Sequence, residues 1–398
     1  MKEKGMMTRL THAGETEFAK KMAAGVSTPK VLPIYLSSVF SFDDVPSLDA
    51  VYENEAEGYV YSRMANPGTD ALCQLLAAAE DCGGALAFSS GMAAIITTIL
   101  ANVKAGDHIV AHPVLYGGVY TYLKTEITRF GVEVDFVDMI KEDVEKYIKP
   151  NTKLIYTETI SNPLMEVMDL PKLAAIAHSH GSKLVVDNTF ATPALAKPME
   201  MGADITVYSA TKYLGGHSDI VGGAVMASEA EIEHMRPFHT LYGSIMSPFD
   251  AWLLSRSLRT LEMRMNLHSA NALKVAEFLE KNPKIERVYY PGLSSSPFYE
   301  RTQKTFMGGR CGGMLSADII GGEKGASAFV KACETIKLVP SLAGVTTTTS
   351  YPAKTSHRAL TEEEMARAGI SMGQIRFSVG LENIEDILAE LDKALKNI

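Results

Sequence analysis

Residues 183–219 read KLVVDNTFATPALAKPMEMGADITVYSATKYLGGHSD and contain two apolar runs, KLVVD (183–187) and DITVYSA (204–210). Runs of this length and composition are typical of buried β-strands. The first run ends on an acid, Asp187, and Lys212 follows closely after the second. Functional residues of parallel α/β sheets gather at the carboxyl ends of the strands. We therefore expect these two charged side chains at the same edge of one sheet.

Similar apolar runs lie on both sides of this stretch, and segments of helical length separate most of them. These runs are ALAF (85–88), HIVA (108–111), VEVDFV (132–137), KLIYTE (153–158) and GGAVMA (222–227). The helix predicted at 169–181 is clearly marked, with Asp169 as N-cap, Pro171 in the first turn and Gly181 as terminator. Apolar strands joined by helices predict a large three-layer α/β domain around a mostly parallel seven-stranded sheet.

Beyond Pro248 the regular alternation of apolar runs and helical segments ends. A long helix is predicted at 251–282, a strand at 314–319 and a final helix at 383–396, which together indicate a smaller α+β domain. A chain of 398 residues is long for one hydrophobic core, so two domains are expected. The predicted parts are an N-terminal arm at 1–60 that packs on another subunit, a large α/β domain at 61–250 and a C-terminal α+β domain at 251–398.

Composition excludes several classes of protein. There are 38 Lys and Arg against 47 Asp and Glu, and a net charge of −9 argues against nucleic acid or an anionic membrane as the main partner. The four cysteines form no CxxC pair, so we predict free thiols in a reducing cytoplasm and no metal site. The uncharged run Gly83–Val103 contains SSG, Thr and Asn, which favours a buried strand–loop–helix unit over a membrane span.

The ends of the predicted strands carry the residues that suggest a chemistry. SSGMAA (89–94) forms a turn of small residues that opens a helix, where backbone N–H groups can hold a phosphate. An acid after one strand and a lysine after the next are the pair that pyridoxal phosphate (PLP) needs: a lysine to bind its aldehyde and a carboxylate to pair with its ring nitrogen. Ser209 and Thr211 flank the lysine and can donate hydrogen bonds to the phosphate. Each feature alone is also typical of a helix cap or an ordinary loop.

The order of motifs resembles the Cys/Met-metabolism (trans-sulfuration) family of fold-type-I PLP enzymes over nearly the whole chain. The motifs are YSRMANP (61–67), SSGMAA (89–94), LYGG (115–118), SNP (161–163), VVDNTFATP (185–193), SATKYLGGHSD (209–219), SLAG (341–344) and IRFSVGLEN (375–383). The resemblance implies that PLP is the cofactor and that the large domain at 61–250 binds it. A catalytically silent assembly protein is disfavoured, because every expected catalytic residue is present.

The resemblance also implies a role for each residue that matches the family pattern. Lys212 would hold the cofactor and transfer protons, Asp187 would pair with its ring nitrogen, and Tyr116 would stack on the ring and protonate the leaving group. The remaining residues would be phosphate ligands from the same subunit (Gly91, Met92, Ser209, Thr211), cofactor ligands from a neighbouring subunit (Tyr61, Arg63) and ligands of the substrate carboxylate (Arg376, Ser341, Asn162). The dimer would then be the minimal catalytic unit, and a homotetramer built as a dimer of dimers is expected.

The same resemblance implies chemistry at the γ-carbon of an amino acid. We expect a carbon–sulfur lyase that performs γ-elimination on a sulfur-containing amino acid and releases 2-oxobutanoate, ammonia and a thiol. Methionine and homocysteine are expected ahead of cystathionine as substrates. The alternative is γ-replacement on an O-acylated homoserine, the reaction of an O-acetylhomoserine sulfhydrylase or a cystathionine γ-synthase.

Four positions bear on the choice of substrate. Relatives that cleave methionine typically have Cys where this chain has Gly118, and Lys-Asp where it has His239 and Thr240, which weakens a methionine-specific reading. Relatives that cleave cystathionine often have Glu where this chain has Pro340, an apolar residue poorly suited to the distal charges of that substrate. The threonine-rich segment at 345–357 is compatible with a strand edge and with a pocket wall.

Overall fold

The computed structural model describes residues 4–13, 29–358, 361, 363, 365 and 369–398. They form two compact units. The first, called the N-unit, comprises Met1–Ala101, Val207–Thr211 and Asp219–Thr260. The second, called the C-unit, comprises Asn102–Thr206, Lys212–Ser218 and Leu261–Ile398.

A seven-stranded sheet confirms the predicted α/β fold. Its strands are β1 (Gly84–Phe88), β2 (His108–Ala111), β3 (Glu133–Phe136), β4 (Thr152–Glu158), β5 (Lys183–Asp187), β6 (Ile205–Ser209) and β7 (Gly223–Ala227), and each coincides with one of the predicted runs. The strand order is β1-β7-β6-β5-β4-β2-β3. Strand β1 is antiparallel to β7, whereas β2 pairs in parallel with β3 and β4, and β4 pairs in parallel with β5. Every residue of β2 and β7 is buried, which explains why these runs lack polar alternation.

Helices of the N-unit cover its strands and carry the predicted phosphate turn. They are α1 (Met6–His12), α2 (Val45–Tyr52), α3 (Pro67–Glu80), α4 (Gly91–Asn102, whose last residue belongs to the C-unit), α8 (Glu229–Tyr242) and α9 (Pro248–Leu258). The uncharged run Gly83–Val103 is β1 followed by a short turn and α4, as predicted. Among the residues that the structure describes, no helix combines the length and apolar character needed to cross a bilayer.

Helices of the C-unit include the one that the sequence marks most clearly. They are α5 (Gly117–Thr121), α6 (Leu170–Ser179), α7 (Thr192–Leu195), α10 (Leu261–Glu280), α11 (Tyr299–Thr305), α12 (Gly322–Ala332) and α13 (Ile384–Leu395). Asp169 caps α6 through a hydrogen bond from the N–H of Lys172, 3.3 Å away. Leu173 and Ala177 of this helix belong to one buried cluster with Val186 of β5. The capped helix thereby fixes the strand that ends on Asp187.

The long helix predicted at 251–282 is interrupted after Leu258. The structure instead has α9 and α10, with Arg259 and Thr260 between them. The N–H of Thr260 bonds to the carbonyl of Ser257 at 3.3 Å, and its hydroxyl donates to the same carbonyl at 3.2 Å. Such local bonding tightens the last turn of a helix and competes with the regular i→i−4 bonds.

A second sheet lies in the C-unit, with strand order β10-β11-β12-β9-β8. The strands are β8 (Ile285–Tyr289), β9 (Met314–Ile319), β10 (Lys337–Leu338), β11 (Thr348–Ser350) and β12 (Gln374–Ser378). The threonine-rich segment therefore contributes a strand, in which Ser350 pairs with Arg376. All of β12 is buried, and Phe377 packs edge-on against Phe329 of α12 with ring centroids 5.7 Å apart. Arg376 thus projects from a rigid strand.

Candidate active site

Lys212 is half-buried in the C-unit and forms a hydrogen bond with a residue of the SLAG motif, which lies far away in the sequence. Its Nζ donates to Ser341 Oγ at 2.8 Å. The segment that carries Ser341 is tied to β12, because the N–H of Ala343 donates to Ser378 Oγ at 2.7 Å. Burial lowers the pKa of Lys212 to about 8, and the positive charge of Arg376 adds to this effect. A larger share of the amine is therefore neutral and nucleophilic near pH 7 than for an exposed lysine.

Asp187 ends β5 as predicted, and its side chain is 8% exposed. Its Oδ1 accepts hydrogen bonds from the N–H of Thr189 at 2.9 Å and from the Thr189 hydroxyl at 2.5 Å. Burial raises the pKa of Asp187 to about 6, although the bonds from Thr189 oppose the rise. A cationic partner would favour the charged form of this carboxyl, and a protonated ring nitrogen is such a partner.

Arg376 and Asn162 form a buried polar pair. Nη1 of Arg376 donates to Asn162 Oδ1 at 2.9 Å, and the arginine is 3% exposed. Burial lowers the pKa of Arg376 to about 10, so the side chain remains cationic at neutral pH. An oriented guanidinium is suited to bidentate binding of a carboxylate.

Tyr116 lies immediately before α5, and its side chain is 45% exposed. Its backbone N–H donates to Glu158 Oε1 at 2.7 Å. The next residue must be glycine, because a Cβ on Gly117 would lie 2.0 Å from the carbonyl oxygen of Ser356. The backbone beside Tyr116 is therefore fixed by two contacts, while its phenol remains accessible.

Four residues that the sequence assigns to phosphate binding lie in the N-unit. Gly91 is the first residue of α4, where the N–H groups of the first turn have no acceptor within the helix. A Cβ on Gly91 would lie 2.8 Å from Ser209 Cβ, so the turn approaches Ser209 as closely as glycine permits. Met92 follows in the same turn. The hydroxyl of Thr211 is oriented by the N–H of Gly222, 3.0 Å away.

Tyr61 and Arg63 are both at the surface of the N-unit. Tyr61 is 41% exposed, and the guanidinium carbon of Arg63 lies 5.6 Å from the centre of its ring. Nη1 of Arg63 donates to the carbonyl of Thr240 at 2.9 Å. The two side chains thus form an exposed cation–π pair.

Comparison with known proteins identifies the family. The model for Cys/Met metabolism PLP-dependent enzymes matches residues 8–396. The chain is 42% identical over 398 residues to an L-methionine gamma-lyase of Porphyromonas gingivalis, covering 99% of this chain and 98% of that protein. It is 41% identical over 400 residues to a cystathionine gamma-lyase of Bacillus subtilis, covering 100% of both. The chain belongs to the Cys/Met-metabolism family of PLP enzymes.

A solved structure supports the same assignment. A putative O-acetylhomoserine (thiol)-lyase of Campylobacter jejuni superposes with a TM-score of 0.91 at 29% identity, covering 99% of this chain and 100% of that one. That structure contains an N'-pyridoxyl-lysine-5'-monophosphate. The cofactor of the family is PLP, and the residues of this chain suit it: an amine with a lowered pKa, a buried carboxyl and a glycine turn at a helix N-terminus.

Two residues near these groups escaped the sequence analysis. Glu158 ends β4 and pairs in register with Asp187, so the pattern of an acid closing a buried strand also applied to it. His357 is 3% exposed, and burial together with Arg376 lowers its pKa to about 4, so it is neutral at pH 7. No pattern of the sequence distinguishes His357, because its position depends on how the loop before β12 folds.

The positions linked to substrate choice differ in their surroundings. His239 is buried in the N-unit, where its Nε2 bonds to the carbonyl of Ala87 at 2.9 Å and its ring packs edge-on against Phe88. Packing in the core is therefore sufficient to explain a histidine at this position, and no contact with substrate is needed. Gly118 lies in α5, two residues after Tyr116, and Pro340 is exposed directly before Ser341.

Proposed function

We propose that this protein is a PLP-dependent carbon–sulfur lyase that removes the γ-substituent of a sulfur-containing amino acid. The products are 2-oxobutanoate, ammonia and a thiol, and methionine and homocysteine rank ahead of cystathionine as substrates. The names of the Porphyromonas and Bacillus relatives support γ-elimination. Pro340 supports the ranking, because an apolar residue offers no partner to the distal charges of cystathionine.

The proposal depends most on the surroundings of Lys212. Its amine has a pKa lowered to about 8 by burial and by Arg376, and Arg376 in turn interacts electrostatically with Tyr116. The residue that can bind a carboxylate therefore interacts both with the residue that can act as a base and with the residue that can act as an acid. Glu158 holds the backbone of Tyr116, and Asn162 holds the guanidinium of Arg376.

We assign the residues of this chain that would hold PLP. Lys212 binds the aldehyde carbon of PLP, and Asp187 pairs with the ring nitrogen. The phosphate is bound by Gly91, Met92, Ser209 and Thr211. PLP bound there would supply an electron-withdrawing ring that weakens the bonds at Cα and Cβ of the substrate. The contact of Gly91 with Ser209 and the orientation of the Thr211 hydroxyl support a narrow site for an anion.

The side chains of the C-unit supply proton transfer and substrate orientation. Lys212 would take the proton from Cα of the substrate and then act at Cβ. Tyr116 donates a proton to the sulfur atom as it leaves Cγ. Arg376, assisted by Asn162 and Ser341, holds the substrate carboxylate in a bidentate pair. Water then supplies the oxygen of 2-oxobutanoate, and the amine leaves as ammonia.

We propose a homo-oligomer in which Tyr61 and Arg63 complete the site of a neighbouring subunit. Both are exposed, and the N-unit exposes many large apolar side chains, as expected of an interface between copies. These side chains are Val31, Leu36, Val39, Val45, Tyr52, Met64, Val221, Leu241, Tyr242 and Phe249. A dimer is then the minimal catalytic unit, and a tetramer of two such dimers is the proposed assembly. Residues 1–60 are proposed as an arm that packs on another subunit, and 1–3 and 14–28 of it lie outside the described residues.

We further propose that the protein works in the cytoplasm. All four cysteines are free thiols, and burial raises the pKa of each to about 12. Thiols of this kind are inert in a reducing compartment.

The proposed division at residue 250 would separate the cofactor platform from the part that carries Arg376.

The second candidate function is γ-replacement on an O-acylated homoserine. The name of the Campylobacter relative favours it. Both reactions need the same residues up to the departure of the γ-substituent and differ only in whether water or a thiol then reacts. The geometry around Lys212 therefore supports the two reactions equally, and the names of the more similar relatives favour γ-elimination.

Assays with purified holoenzyme test the proposal. Separate incubations contain L-methionine, L-homocysteine, L-cystathionine, or O-acetylhomoserine with sulfide. We expect 2-oxobutanoate from at least the first two. If none of the three sulfur amino acids yields 2-oxobutanoate while the ester and sulfide give homocysteine, the protein is a γ-replacement enzyme and the proposal is wrong.

A further inference from the structure

A buried carboxyl without an assigned role lies at the end of β4. Glu158 is the last residue of that strand, is 6% exposed and pairs in register with Asp187 of β5. Acidic side chains are almost never buried to this extent unless hydrogen-bond partners compensate for the lost water. The partners of Glu158 therefore indicate what its carboxyl holds in place.

Two loops of the C-unit donate backbone hydrogen bonds to this carboxyl. Oε1 of Glu158 accepts from the N–H of Tyr116 at 2.7 Å. The N–H of Asn162 donates to the same carboxyl, and Asn162 Oδ1 accepts from Arg376 Nη1 at 2.9 Å. Glu158 therefore connects the loop of the proposed proton donor with the loop that orients the proposed carboxylate-binding arginine.

The surroundings of Glu158 also determine its charge. Burial and the neighbouring Asp187 raise the pKa of Glu158 well above its ordinary value, while the N–H groups of Tyr116 and Asn162 and the charge of Arg376 oppose the rise. Burial and Asp187 dominate, so the neutral form of this carboxyl is favoured more than in an exposed glutamate. A glutamine at this position keeps both the shape and the accepting oxygen.

We propose that Glu158 is a positioning residue that fixes the Tyr116 phenol relative to Arg376. A substrate held by its carboxylate then presents its γ-substituent to the phenol. This inference rests on the proposed function, because it takes Tyr116 as the acid and Arg376 as the carboxylate ligand. Misplacing a catalytic group by about 1 Å costs roughly 100-fold in rate. A role confined to stabilising the fold predicts no such change in correctly folded enzyme.

Leaving groups of different basicity distinguish positioning from folding. A thiolate is a strong base that needs a proton as it leaves, whereas acetate is a weak base that leaves without one. Glu158→Ala is expected to lower kcat for L-methionine by about 100-fold and to affect elimination of acetate from O-acetylhomoserine much less. Tyr116→Phe, which removes the acid itself, is expected to show the same dependence on the leaving group.

Two further variants serve as controls. Glu158→Gln is expected to restore the kcat of the wild type for methionine, because the amide oxygen accepts the same two N–H bonds. Asp318→Asn changes a carboxyl that is equally buried and accepts bonds from Tyr289 at 2.7 Å and Ser371 at 2.6 Å, but lies in β9 of the second sheet. It is expected to change Tm without dependence on the leaving group.

Binding of L-norvaline, which lacks a leaving group, supplies a readout independent of turnover. Its Kd, measured by titration of holoenzyme absorbance, is expected to rise in Glu158→Ala and to stay unchanged in Glu158→Gln. The inference is overturned if Glu158→Ala loses equal activity with both substrates, or if Glu158→Gln is as impaired as Glu158→Ala. Failure of the wild type to form 2-oxobutanoate from any substrate contradicts the proposed function instead, and norvaline binding then still tests the placement of Arg376.

Discussion

At the scale of single residues, the amine of Lys212 gives the sharpest dependence on pH. Burial and Arg376 lower its pKa to about 8 from the ordinary lysine value of 10.5, so the neutral amine accumulates as the pH rises through 8. Uptake of PLP by the apoprotein requires this neutral form. We expect the rate of uptake, followed by absorbance, to rise with pH and to level off just above 8.

Variants at Arg376 provide the control for that pH profile. Arg376→Gln removes a positive charge that disfavours protonated Lys212, so the plateau should move to higher pH. Arg376→Lys retains the charge and should leave the plateau near 8. A wild-type profile that rises up to the ordinary value of 10.5 would contradict the account of Lys212.

Arg376 itself is expected to govern binding more than turnover. Arg376→Lys preserves the charge but loses the planar pair of donors, and hydrogen bonds to charged groups contribute about 1.5–3 kcal/mol. KM for L-methionine and Kd for L-norvaline should therefore rise by roughly 10- to 150-fold, with a smaller change in kcat. Arg287→Lys, which alters an arginine stacked on Tyr289 in the second sheet, is the matched control. Equal Kd values for the two variants would exclude Arg376 as the carboxylate ligand.

Sequence patterns alone predicted only those site residues that lie at the end of a strand. Asp187 and Lys212 were predicted because each follows an apolar run, and parallel strands end at one edge. Glu158 meets the same criterion but was passed over in favour of Asn162, four residues later. The hydrogen bond from Lys212 to Ser341 spans 129 positions and depends on how distant loops pack, so no local pattern predicts it.

At the scale of elements, the start of α4 is the most constrained part of the proposed phosphate site. A methyl group on Gly91 would lie 2.8 Å from Ser209 Cβ, so Gly91→Ala must push the turn and Ser209 apart. Overpacking of this kind costs about 1–3 kcal/mol. The Kd for PLP, measured by titration of the apoprotein, should rise by roughly 5- to 150-fold.

The same substitution elsewhere shows whether the effect is local. Gly5 has no atom within 4 Å of an added Cβ, so Gly5→Ala should leave the Kd for PLP unchanged. An unchanged Kd in Gly91→Ala as well would mean that this turn does not bind the phosphate.

Strands with continuous apolar runs were predicted well. Helix ends that depend on competition between local and regular helix hydrogen bonds were not. All seven strands of the large sheet coincide with predicted runs. Six of them bury most of their residues, whereas β3, at the edge of the sheet, is only partly buried. The break between α9 and α10 has no Gly or Pro to mark it and depends on the bonds of Thr260 to Ser257. The threonine-rich segment is compatible with a strand and with a pocket wall, and its pairing with β12 shows that 348–350 form a strand.

At the scale of the whole molecule, the proposed sharing of Tyr61 and Arg63 between subunits predicts complementation. Lys212→Ala and Arg63→Ala should each be inactive alone. A mixed dimer of the two contains one site with both residues intact and one site with neither. Random assembly at equal amounts should therefore recover about a quarter of the wild-type activity.

Mass spectrometry of differently tagged chains verifies that mixed oligomers form in that experiment. If they form and activity stays absent, Arg63 serves the site of its own chain and the proposed dimeric unit is wrong. Sedimentation of the wild type measures the assembly independently, and a monomer with full activity would contradict the same proposal.

The central claim is that one lysine, one tyrosine and one arginine of this chain carry out γ-elimination with PLP. Its most direct test measures 2-oxobutanoate, ammonia and methanethiol formed from L-methionine by purified holoenzyme, beside the Lys212→Ala variant. The account predicts the three products in equal amounts from the wild type and none from the variant. No 2-oxobutanoate from the wild type, or equal amounts from both proteins, would contradict it.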